Sequence, residues 1–87
     1  MLLVDIWKQV LGIEKIGIHD NFFELGGHSL LATQVTSKIR KIFEVNIPVR
    51  AIFEKPTILE LGKEIVEYII QEIDQLTEEE TNKLLKY

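Results

Sequence analysis

The chain has 87 residues, 46% hydrophobic and 28% charged, with five Gly, two Pro and no Cys; this admits a single domain and excludes a two-domain enzyme, a disordered or fibrous chain, disulfides and thiolate metal sites. Ten Lys plus Arg against fourteen Asp plus Glu give a net charge of −4, which repels nucleic acid and anionic membrane and favours a basic partner. The apolar runs fall far short of the roughly 18–20 residues that span a bilayer, and the N-terminus lacks the features of a signal peptide, so the expected setting is cytoplasmic, for a whole protein or a piece of one.

From Leu2 to Leu11 the apolar residues Leu2, Leu3, Ile6, Trp7, Val10 and Leu11 recur at helical spacing, and Gly12 follows as a stop. No capping residue precedes this first helix, so its start is expected to be truncated from something longer. Residues 13 to 28 hold Gly17, Gly26, Gly27 and the run His19-Asp20-Asn21, which reads as a long connection of the kind that carries function. Within it Phe22, Phe23 and Leu25 are expected to plug into the core, and Asp20 to cap a turn around Asn21, Phe22 and Phe23.

Ser29 to Phe43 forms the second predicted helix. Setting successive side chains about 100° apart places Leu31, Ala32, Val35, Ile39, Ile42 and Phe43 in one stripe. Leu30 falls outside, among Thr33, Gln34, Ser37 and Lys41. It marks either a distorted first turn or an exposed contact point. Lys38, Arg40 and Lys41 read as a solvated face. Asn46 and Pro48 end this region, and Val49, Ala51, Ile52 and Phe53 form a short helical turn closed by Lys55-Pro56.

Thr57 and Glu60 are spaced as a capping box that opens the last long helix. Its stripe is Ile58, Leu61, Ile65, Val66, Tyr68, Ile69 and Ile73. A second such box, Thr77 to Glu80, opens an acidic tail, expected to be a short helix or a linker because Leu84 and Leu85 alone bury little. The division is therefore a domain over 1–73 and a tail over 74–87.

Chemistry concentrates in Leu25-Gly26-Gly27-His28-Ser29-Leu30-Leu31. As plain structure, Ser29 is an N-cap and the two glycines supply a turn with positive φ. The same geometry serves a phosphate ester on Ser29, because a helix N-terminus presents unpaired N–H groups and partial positive charge. The glycines would also let a partner's active site approach closely. A hydrolytic elbow is disfavoured, since Leu31 stands where such a motif has Gly, and His28 directly before Ser29 offers no obvious Ser–His pair. His19, Asp20, Glu24 and His28 match no metal-ligand spacing.

The runs Ile6-Trp7, Val10-Leu11-Gly12, Ile16 through Leu30, Ile52-Phe53 and Pro56-Thr57-Ile58 resemble the peptidyl carrier (thiolation) domains of nonribosomal peptide synthetases. The resemblance covers nearly everything from Leu2 to about Tyr68 and implies an all-α, four-helix bundle of acyl-carrier type with a short third helix. It implies that Ser29, flanked by Gly27 and His28, takes 4′-phosphopantetheine from coenzyme A through a phosphopantetheinyl transferase. The arm's thiol then carries aminoacyl or peptidyl groups as thioesters between adenylation and condensation domains, with a thioesterase domain as an optional further stop. Such a carrier is itself non-catalytic and monomeric, and is expected to be excised from a multidomain synthetase. Family carriers dock through their second and third helices, which points to Leu30, Thr33, Val49, Ile52 and Phe53. His28 and the basic Lys38, Arg40 and Lys41 favour the peptidyl subtype over the acyl carriers of polyketide or mixed assembly lines, which usually have Asp before the serine. A non-covalent helical docking module is the remaining alternative.

Overall fold

The structure, a computed structural model, describes residues 2–85, with side-chain surroundings in the last helix as far as Ile73. Four helices follow in order: α1 (Leu2–Leu11), α2 (Ser29–Phe43), α3 (Arg50–Glu54) and α4 (Ile58–Leu85). Among the described residues there is no strand, only an isolated antiparallel bridge between Asn21 and Thr57. No helix there is long and apolar enough to cross a membrane.

Each helix contributes a stripe to one core. Leu3, Ile6 and Trp7 come from α1, Ala32, Val35 and Ile39 from α2, Ala51 and Ile52 from α3, and Ile58, Leu61 and Ile65 from α4. Phe22 enters from the long loop, while Phe23 and Leu25 are half-buried against the cluster. Among the described residues Thr36 is the buried polar one, and its hydroxyl donates to the Ala32 carbonyl at 2.8 Å, which removes the cost of burying an unpaired group. Gly12, at φ 68°, ends α1 in the left-handed conformation and donates its N–H to the Lys8 carbonyl.

Three expectations from periodicity change. Ile42 on α2 and Val66 and Ile73 on α4 are exposed, because a stripe that spans a wide arc reaches beyond the groove its neighbours fill. The second capping box does not open a new helix, since α4 continues through it to Leu85. Residues 74–85 contain neither Gly nor Pro, so nothing in them breaks a helix already under way. The burial expected of Leu84 and Leu85, and the start ahead of Leu2, lie outside the described residues.

With 28 residues, α4 is about 42 Å long at 1.5 Å per residue. It runs well past the 15-residue α2, and the chain measures 54 × 21 × 21 Å along its principal axes.

Candidate functional site

The loop before α2 is held at both ends. The Asp20 carboxylate accepts from the Gly17 N–H at 2.8 Å, closing the turn behind it instead of the one ahead. Asn21 takes the role expected of Asp20: its Oδ1 accepts from the N–H groups of Phe23 at 2.9 Å and Glu24 at 3.3 Å, an Asx turn. The Phe22 N–H donates to the Pro56 carbonyl at 2.7 Å, and the Leu59 N–H to the Ile18 carbonyl at 3.1 Å. These bonds fasten the loop to the start of α4, where Thr57 Oγ1 accepts from the Glu60 N–H at 3.2 Å and so caps the helix.

From Phe22 the chain turns back on itself. Leu25 donates to the Asn21 carbonyl, Gly26 to that of Phe23 and Gly27 to that of Phe22. Gly26 has φ 103°, a conformation open to glycine, whereas Gly27 shows no positive φ. The expectation of two glycines with positive φ thus holds for the first and fails for the second.

His28 is the N-cap of α2, with extended backbone and no side-chain capping bond, and its carbonyl accepts from Ala32. Ser29 is the first residue inside the helix, so the expected N-cap role is corrected. Its side chain is exposed and has no hydrogen-bond partner among the described residues. Around it the first turn of α2 carries no acidic residue and leaves backbone N–H groups without intrahelical acceptors. A phosphate attached there would meet donors and partial positive charge with no carboxylate in that turn to repel it, so the residues present fit such a group. His28 is exposed beside it.

Of the residues grouped as a contact surface, Leu30 is 62% exposed, Phe53 47% and Val49 37%. Thr33 is exposed, and its hydroxyl donates to the Ser29 carbonyl at 3.0 Å. Ile52 is only 1% exposed. It faces the core, and its place in an accessible patch is withdrawn. Phe53 stacks on Phe23 with ring centroids 5.1 Å apart, which ties α3 to the loop that precedes Ser29. Arg40, read as solvated, also donates from Nε to the Ile47 carbonyl at 2.8 Å. Among the described residues no group of three His, Cys, Asp or Glu is placed to hold a metal ion.

Sequence reasoning missed the Asn21 turn and the packing of Gly27. The first had a legible signal, because an Asn side chain readily accepts from the backbone N–H two residues on, as an Asx turn requires; the second had none, since it depends on which ring the glycine meets.

The family model described as "phosphopantetheine attachment site" matches residues 2–65. A linear gramicidin synthase of Brevibacillus parabrevis is 60% identical over 63 residues, covering 72% of this chain and 1% of that protein. The chain therefore spans about one hundredth of the length of such relatives. A peptidyl carrier protein solved with the phosphopantetheine transferase Sfp and coenzyme A is 39% identical, with a TM-score of 0.73 over 76% of this chain and 86% of that one. A docking domain complex of the Pax NRPS is 42% identical, with a TM-score of 0.80 over 93% of this chain and 78% of that one.

Proposed function

We propose, on the premise that this chain belongs to the phosphopantetheine attachment family and is homologous to the peptidyl carrier domains of nonribosomal peptide synthetases, that Ser29 is the attachment residue of a carrier for aminoacyl or peptidyl groups. The observation that carries this reading is an exposed hydroxyl, without a partner among the described residues, on the first turn of α2. In the loading step Ser29 Oγ bonds the pantetheine-side phosphorus of coenzyme A. The P–O bond to adenosine 3′,5′-bisphosphate breaks, the bisphosphate leaves, and the hydroxyl proton passes to the transferase.

When bound, the arm supplies a thiol that holds cargo as a thioester. The protein's own part is to present the serine, keep negative charge away from it and offer surfaces for partners in turn. Leu30, Thr33, Val49 and Phe53 are the proposed contacts, with Gly27 and His28 flanking the attachment point. A patch this small fits brief, reversible docking, and tethering supplies the effective concentration that affinity does not.

The partners in this reading are a phosphopantetheinyl transferase and adenylation and condensation domains, with a thioesterase domain as an optional further one, in a cytoplasmic synthetase of which this chain is a monomeric, non-catalytic part. The division into a carrier over 1–73 and a connecting segment over 74–87 belongs to the same proposal, with α4 continuing into that segment as far as Leu85.

Incubation with coenzyme A and a broad-specificity transferase tests it. Intact-mass spectrometry is expected to show one added phosphopantetheine, peptide mapping to place it on Ser29, and Ser29→Ala to stay unmodified. A folded protein that takes up nothing, or takes it up elsewhere, overturns the reading. Docking on a partner with equal strength by unloaded protein and Ser29→Ala would then favour a non-covalent module.

A further inference from the structure

We infer that Gly27 and the ring of Phe22 form a steric stop that sets where α2 begins and so positions the Ser29 hydroxyl for transfer. This inference rests on the reading of Ser29 as the attachment residue.

Gly27 is not required for its backbone angles, since it shows no positive φ, in contrast to Gly26. A Cβ on Gly26 would meet nothing within 4 Å. A Cβ on Gly27 would stand inside van der Waals contact with Cδ2 and Cε2 of Phe22, and 2.7 Å from the Phe22 carbonyl oxygen. The chain just before Ser29 therefore lies directly against the Cδ2–Cε2 side of the Phe22 ring, closer than any residue with a side chain allows.

The ring has little freedom to yield. Phe22 is 0% exposed and packs edge-on against Trp7 at 5.0 Å and against Phe23 at 5.3 Å. Its N–H is bonded to Pro56 and its carbonyl accepts from Gly27 at 3.0 Å. Close packing transmits such a displacement instead of absorbing it. A methyl group on Gly27 must then push residues 27–29 outward and carry the Ser29 hydroxyl away from the line of attack. Leu30, Thr33 and Val49 lie outside residues 27–29, so the contact surface is disturbed less than the hydroxyl.

Two residues thus act on the reaction without touching coenzyme A, and both are positioning residues. An alternative use of Gly27, leaving room for the partner's approach, makes a different prediction. A methyl obstructing the transferase raises KM for the carrier, and no change beneath the loop relieves it. A methyl that lifts the serine lowers kcat with KM nearly unchanged, and shrinking the ring beneath it restores part of the rate.

The experiment compares wild type, Gly27→Ala, Phe22→Leu and the double variant as substrates of a phosphopantetheinyl transferase. Carrier concentration is varied to separate kcat from KM, and circular dichroism reports the fold. Gly27→Ala is expected to lower kcat on the order of 100-fold, the scale of an ångström's misplacement, with KM close to wild type. The double variant is expected to recover part of that loss, because the Phe22 carbonyl oxygen still lies 2.7 Å from the added methyl, and Phe22→Leu alone, which takes the ring out of the stop, to lower kcat by less than Gly27→Ala does. A folded Gly27→Ala with wild-type kcat overturns the inference, as does a loss confined to KM or one that Phe22→Leu fails to relieve. Should Gly27→Ala alone not fold, the double variant is set against Phe22→Leu: a kcat loss well below 100-fold supports the stop, and a loss of about 100-fold overturns it. Failure of wild type to load on Ser29 would instead strike the reading on which this rests.

Discussion

Ser29 combines a reactive role with almost no structural one. Its hydroxyl caps nothing, and the cap residue His28 ahead of it makes no side-chain bond either. Ser29→Ala should therefore abolish loading and change stability by no more than about 0.5 kcal/mol, as for an exposed position with a good helix former introduced. Thermal unfolding checks this, and a larger loss would show that the hydroxyl holds structure. Asn21 is the converse case: one oxygen accepts from two backbone N–H groups, that of Phe23 partly buried. Asn21→Ala should cost about 1–3 kcal/mol by leaving those donors unpaired, while Asn21→Asp, which keeps the acceptor, should cost less in the same urea titration.

At the scale of elements, the ends of α2 are treated differently. Its start rests on the Phe22 ring. Its finish is a left-handed Glu44 at φ 53°, followed by a segment held by Arg40 Nε on the Ile47 carbonyl and by the Asn46 N–H on Glu72 Oε1 at 2.7 Å. A side chain in that conformation costs roughly what glycine relieves, so Glu44→Gly should raise stability by about 0.5–1 kcal/mol. The same unfolding assay reads it, and loading should be unaffected. The short α3 is fixed from both sides, with Ala51 and Ile52 in the core and Phe53 stacked on Phe23. Trp7, Phe22, Phe23 and Phe53 thus make successive ring contacts from the core to the exposed face of α3. An element of five residues is placed by such contacts, because it has too few backbone bonds to stand alone.

For the whole molecule, the separation of core from surface gives a test across the fold. Ile52→Ala should destabilise by about 2–4 kcal/mol through cavity formation, whereas Leu30→Ala, at an exposed site, should stay within about 0.5 kcal/mol. Leu30→Ala should instead raise KM for the transferase, so urea unfolding and loading kinetics together separate the two. Much of this arrangement was legible in the order of residues alone. The spacing of Leu3, Ile6 and Trp7, the stop at Gly12, the Thr57 cap and the run ending in Ser29-Leu30 are local signals, fixed by a helical repeat of about 3.6 residues and by nearby backbone groups. Other features required the folded chain. Ile52 and Phe53 are neighbours of similar character in a helix too short to show a period, and the position of α3 against α4 and the loop buries one and exposes the other. Ile42 and Val66 fit their stripes but reach past the packed neighbours. Gly27 resembles Gly26 in the chain, yet only the folded loop sets it on the Phe22 ring. Local order follows from interactions within a few residues, whereas burial and close approach depend on which distant atoms occupy the remaining space.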